Sequence, residues 1–292
     1  MKKLVAILFL IMPLITMAQE HMSAHYKIYN TAKKAPATID DIVNALDKAD
    51  VLFFGEEHND STGHYLEALL LKKITEKYPS RSALSLEMFQ TDCQTVLDEY
   101  LAGFIREKNL ITEGRAWNNY KDYRPMIEQA KAAHIPVIAA NAPTRYTNMV
   151  TRDGLESLNR LSKQAKSWLA PLPIDTATGA YYEKFVAIMG GHNAMGNMKI
   201  YQSQNLWDAT MAYHIAKFLK THKGFKVMQV NGGFHSEEKL GVAAQLKKYL
   251  LTVRMLNIAA YADDSFDNPD WTKFEKMADF IILTDPKLPK TF

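Results

Sequence analysis

The sequence has very little cysteine: Cys93 is the single thiol in 292 residues. One cysteine cannot close an internal disulfide, and a chain of this length buries enough surface without one. Thr91-Asp92-Cys93-Gln94 reads as a helix start with no histidine beside it, so Cys93 is expected as a packed thiol rather than a nucleophile. An excess of one charge is also missing. The formal net charge is +3 and falls to +1 without Lys2 and Lys3, which gives no electrostatic basis for binding nucleic acid or membrane surfaces. No Gly-x-Gly-x-x-Gly or P-loop occurs, which argues against a dinucleotide or ATP site. No Gly-x-Ser-x-Gly elbow occurs, which argues against a serine hydrolase. Repeats and low-complexity tracts are absent, and no long apolar run follows the first one.

That first run starts the chain. Met1-Lys2-Lys3 is charged, Leu4 to Ile15 is apolar, and Thr16-Met17-Ala18 ends small. This is the pattern of a secretory signal peptide, and the run is shorter than the roughly 20 residues of a membrane span. Residues 1–18 are therefore expected as a signal peptide cleaved after Ala18 or Gln19. No cysteine follows to carry a lipid anchor. The mature protein is expected in the periplasm or medium, with 19–37 a mobile lead-in and 38–292 a single domain without a transmembrane segment.

Within that domain, short apolar runs alternate with amphipathic helices. The runs are Val51 to Phe54, Ala83 to Leu86, Pro136 to Ala140, Lys226 to Val230, Thr252 to Ala259 and Phe280 to Leu283. One helix is expected from Ser61 to Tyr78, with Leu66, Leu69, Leu70 and Ile74 as its stripe. Another should start at Pro125, since proline favours a helix's first position. The alternation predicts an α/β fold: a mostly parallel sheet flanked by helices. Residues 144–223 hold helical patterns but no strand, and are expected as a helical insertion, a lid or side lobe between the third and fourth core strands.

Ligands of such sheets gather outside the carboxyl ends of the strands. Four runs here end in polar or glycine-rich groups: Gly55-Glu56-Glu57-His58, Glu87, Asn141, and Gly232-Gly233-Phe234-His235. Glu56, His58, Glu87 and His235 are the candidate metal ligands. Two imidazoles and two carboxylates suit zinc, manganese or iron, or else a metal-free acid–base cluster. Gly232-Gly233 permits a close backbone approach or positive φ. His64 is expected behind the site or on the surface. Asp208 falls on the inward stripe of a helix with Gln204, Met211, Ala212 and Ile215, and an acid there needs a partner, with His58 and His235 as the choices. Trp117, Tyr120, Tyr123, Tyr181, Met189 and His192 are core or pocket side chains. Such residues could line a flat apolar ligand or supply an axial ligand to haem iron.

Phe54-Gly55-Glu56-Glu57-His58-Asn59-Asp60, Leu86-Glu87-Met88-Phe89, Tyr123-Arg124-Pro125, Ala139-Ala140-Asn141-Ala142-Pro143, Tyr201-Gln202-Ser203-Gln204, Trp207-Asp208-Ala209-Thr210-Met211-Ala212 and Gly232-Gly233-Phe234-His235 occur in that order. This ordered set resembles the ChaN-like haem-binding uptake proteins, grouped with TIKI proteases and erythromycin esterases in one superfamily. The resemblance implies an extracytoplasmic bacterial protein that binds haem in iron acquisition. It implies haem held between two protomers, a homodimer, with a tyrosine on iron. Tyr123 is the first choice for that ligand and Tyr120 the second, with His192 a further cofactor-binding residue. Relatives often carry a lipid anchor, which this sequence lacks. The enzyme relatives imply an alternative, a secreted ester or peptide hydrolase. There Glu87 would be general base, His58 and His235 would orient water and stabilise charge, and a divalent metal is possible.

Overall fold

The computed structural model describes residues 22–191 and 198–292. The expected signal peptide and His192 lie outside the described residues. Strands are β1 (Tyr26–Asn30), β2 (Ala35–Ala37), β3 (Val51–Glu56), β4 (Ser82–Gln90), β5 (Val137–Asn141), β6 (Lys226–Gly232), β7 (Met255–Ala262) and β8 (Phe280–Thr284). Helices are α1 (Ile39–Ala45), α2 (Ser61–Lys77), α3 (Gln94–Leu101), α4 (Glu107–Glu113), α5 (Tyr120–Ala132), α6 (Thr144–Asp153), α7 (Lys163–Ser167), α8 (Ala180–Ile188), α9 (Ile200–Thr221) and α10 (Gly241–Tyr249).

The strands form one sheet in the order β2-β1-β8-β7-β3-β6-β4-β5. All pairings from β8 through β5 are parallel, and β1 runs antiparallel to both β8 and β2. The α/β expectation therefore holds, with one correction. Residues 26–30 and 35–37, expected within a mobile lead-in, close one edge of the sheet. Tyr26–Asn30 is short and does not alternate, but beside β8 it buries the adjacent Ile28 and Tyr29 in different core clusters.

Alternation along the strands sorts the core into layers. From β3, Leu52 and Phe54 join Leu66, Leu70 and Ile74 of α2 and Tyr123, Met126 and Ile127 of α5. Val51 and Phe53 point the other way, into Met211, Ala212 and Ile215 of α9 and Val242 and Leu246 of α10. Each fully buried side chain of this kind contributes about 1.5–3 kcal/mol. The helix expected from Ser61 is α2, capped by the Asp60 side chain on the Thr62 N–H. Thr284 of β8 donates to the same carboxylate. Cys93 is buried, as expected.

Several boundaries differ from expectation. α5 begins at Tyr120 and carries Pro125 inside it, because Tyr120 and Tyr123 already belong to the buried helical stripe. β4 runs on to Gln90, so Glu87 lies within the strand rather than at its end. The fifth core strand is shifted to Met255–Ala262. Among the described residues of 144–223 there is no strand, and α6 to α9 fill the segment.

Gly55 sits in mid-sheet where a Cβ would lie 3.0 Å from Gly233 Cα and 3.1 Å from the Ile258 carbonyl oxygen. Gly55→Ala is expected to destabilise by about 1–3 kcal/mol through overpacking. The check is a lower urea midpoint with an unchanged slope.

Candidate functional site

Glu56 is the last residue of β3 and shares the face of Leu52 and Phe54, toward α2 and α5. Its carboxylate is buried and meets His58, Tyr123, His64 and Glu67. Oε1 is 2.7 Å from Nδ1 of His58 and accepts from the Tyr123 hydroxyl at 2.8 Å. Oε2 is 3.3 Å from Nδ1 of His64. His64 and Glu67 stand one helical turn apart on α2, which faces both toward the end of β3. His64 Nδ1 is 3.1 Å from Glu67 Oε2, and its Nε2 is 3.1 Å from the His58 carbonyl oxygen. His64 is thus buried beside Glu56 and not on the surface.

Glu87 has the opposite parity, that of Ala83 and Ser85, and faces the side of α9. Its Oε2 accepts from the Gly232 N–H at 2.8 Å, and its Oε1 lies 3.6 Å from Nε2 of His235. His235, in the turn after β6, places Nδ1 2.6 Å from Asp208 of α9. The Tyr181 hydroxyl of α8 donates to the other Asp208 oxygen at 2.5 Å. Asp208 therefore has the partner that its place on a buried stripe required, and it is His235.

Gly232 joins the halves. Its N–H serves Glu87, and a Cβ there would lie 2.9 Å from His58 Nε2. The glycine is needed for the close approach of an imidazole, without positive φ at either residue of the pair. The four expected metal ligands are brought to one region but stand in pairs, His58 with Glu56 and His235 with Glu87 and Asp208. Among the described residues, the ligand atoms that lie within 4.8 Å of one another are those of Glu56, His64 and Glu67. Glu67 was missed from sequence. Its spacing from His64 was the available signal, hidden in a helix whose leucines dominate the pattern.

Burial opposes charge on His58, but the Glu56 hydrogen bond and the charges of Glu87 and Glu56 outweigh it and raise the imidazole pKa. Burial likewise opposes charge on His235, and Glu87 and Asp208 push its pKa up to about 9. Burial, then the charge of Glu56, holds the Glu67 carboxyl well above the usual carboxylate range.

Outside these groups opens a cleft of about 430 Å3, lined by Glu56, Glu57, His58, Gln204, Gly232, Gly233 and His235 and by Phe185, Ile188, Met189, Ile200, Trp207 and Phe234. The His58 side chain is 37% exposed there. A larger hollow of about 630 Å3, lined by Asp153, Glu156, Lys199 and Gln202 among others, touches none of the strand-end residues. Tyr123 and Tyr120, expected on iron, are buried away from the cleft lining; their hydroxyls donate to Glu56 and Glu107. Burial raises both phenol pKa values, which disfavours tyrosinate.

Residues 42–246 match the sequence profile of a family described as haem-binding uptake, Tiki superfamily, ChaN. Among solved structures, ChaN of Campylobacter jejuni, described with cofacial haem binding, is similar with a TM-score of 0.66 at 16% identity, covering 89% of this chain and 97% of that one. A Bacillus cereus protein gives 0.51 at 13% identity, covering 91% and 96%. A mutant of the erythromycin esterase EreC in its open conformation gives 0.47 at 10% identity, covering 84% and 78%, too distant to carry an argument. The first two likenesses show the fold. No curated protein sequence matches the chain.

The His235 pKa of about 9 lies above the ordinary 6.5, so the stability of its cationic form is complete below about pH 6.5 and lost as the pH rises through about 9. The difference in urea midpoint between wild type and His235→Asn is expected to shrink across that window. A constant difference would mean a neutral imidazole throughout.

Proposed function

Because this chain belongs to the haem-binding uptake family of the Tiki superfamily, ChaN, we propose that it binds haem, outside the cytoplasm, in the acquisition of haem iron. The observation that carries the reading is the character of the cleft at the strand ends. A porphyrin needs flat apolar walls with few polar anchors, and iron needs a nitrogen or oxygen donor. Phe185, Ile188, Met189, Trp207 and Phe234 supply such walls, and His58 reaches the same cleft. The residues present therefore fit the group. His58 is the donor this reading favours. Tyr123 then serves it indirectly, fixing Glu56, which in turn holds Nδ1 of His58 and leaves Nε2 as the ring's other nitrogen. Bound haem would supply an iron centre and a visible chromophore. Ile188, 66% exposed on the cleft, would give a second copy of the chain an apolar contact around a shared haem. The charged, apolar and small-residue pattern of residues 1–18 supports export. Among the described residues no helix is long and apolar enough to cross a membrane.

Titration of the purified mature chain with hemin tests this reading. The expected result is a saturable Soret shift, weakened about tenfold or more, roughly 1.4 kcal/mol, in Trp207→Ala and Ile188→Glu. Absence of a saturable shift in the wild type would overturn it.

One observation favours a second use of the same place. The two histidine–carboxylate pairs meet around Gly232, with Glu87 between the imidazoles. In a hydrolase reading Glu87 is the general base for water. His58 and His235, both with raised pKa values, are charge stabilisers rather than proton acceptors. Ester or amide turnover that is lost in Glu87→Gln while hemin binding persists would support this reading. No turnover by the wild type across both substrate classes would exclude it.

A further inference from the structure

We propose that Glu56, His64 and Glu67 form a binding site for a divalent cation of the zinc or manganese class, set behind the cleft and separate from His235 and Glu87. The proposal follows from counting donors. His64 Nε2 lies 3.1 Å from the carbonyl oxygen of His58, which can only accept, so this nitrogen carries the ring proton. A neutral ring then turns the lone pair of Nδ1 toward Glu67 Oε2 at 3.1 Å and Glu56 Oε2 at 3.3 Å. With the ring neutral, three acceptors converge on one place, a crowding that a cation or a proton among them would relieve. Glu56 Oε2 and Glu67 Oε1 are also buried without any hydrogen-bond partner. The two side chains are only 1% and 0% exposed. Among the described residues no lysine or arginine ion pair reaches either one. Leaving such groups uncompensated is costly.

A dication would neutralise the two carboxylates. An imidazole with carboxylate oxygens and no thiolate suits zinc, manganese or iron(II) rather than copper(I). The surroundings are those that hold metal ligands in place. The far nitrogen of His64 donates to a backbone carbonyl, and the far oxygen of Glu56 accepts from the Tyr123 hydroxyl. Glu56 also lines the cleft, which gives an entry path past His58.

The competing occupant is a proton shared between Glu67 and Glu56. The test is Co2+ titration of chelator-treated mature protein, followed by its visible absorption and by metal content after desalting. The site predicts one retained equivalent per chain with ligand-field bands. Binding should fall more than tenfold in His64→Ala and in the near-isosteric Glu67→Gln, and about tenfold in Tyr123→Phe. It should be unchanged in His235→Ala and Glu87→Gln, which separates this site from the His235–Glu87 pair. Failure of the folded wild type to retain cobalt, zinc or manganese would overturn the proposal without recourse to any variant. Full retention by Glu67→Gln would overturn it too.

Discussion

Side chains of a buried strand alternate between two faces, and this constraint divides the site before any chemistry is considered. Glu56 ends β3 on the face of α2 and α5, and Glu87 lies in β4 on the face of α9. Each carboxylate therefore finds its own partners from a different helical layer. Tyr123, His64 and Glu67 come from one side, and Asp208 and Tyr181 stand behind His235 on the other. Only the turn after β3 can bridge them. His58 does so because Gly232 has no Cβ to keep the ring away from Glu87.

The electrostatics follow from that division. Burial disfavours every charge involved, yet the groups differ in what surrounds them. Two acids flank His235, and its cation is favoured. Glu67 faces another acid, and its anion is disfavoured. The two halves thus differ in sign of response: one favours the cation of a base, the other disfavours the anion of an acid unless a positive charge lies beside it.

The parallel sheet, the α2 stripe and the polar strand ends were legible because period and composition agreed there. Val51 to Phe54 is short, apolar and followed at once by Glu56 and His58, and Asp208 announced a partner by being acidic on an inward stripe. Which partner it took was not legible, since the distance from α9 to the turn after β6 depends on packing. The edge strands β1 and β2 were missed because Tyr26–Asn30 carries only two fully buried side chains and pairs with β8, near the far end of the chain. Tyr123 was expected on iron, and its hydroxyl instead meets Glu56. Its direction was not visible, because a tyrosine on a helical stripe gives no sign of whether its hydroxyl meets ligand or a buried carboxylate. Glu67 was obscured in the same way by Leu66 and Leu70 beside it.

The order of pairing within the sheet bears on when the protein can first work. Val51 in the central strand is matched to Val227 on one side and Met255 on the other, and to nothing earlier. The strand that carries Glu56 is therefore among the first made and the last to be flanked. In a chain delivered from its N-terminus, Leu52, Phe53 and Phe54 stay exposed until most of the sequence has followed, a topology that folds slowly and invites self-association. Ligand capture is then a property of the finished molecule alone: no nascent or truncated form lacking β6 can assemble the groups around Gly232.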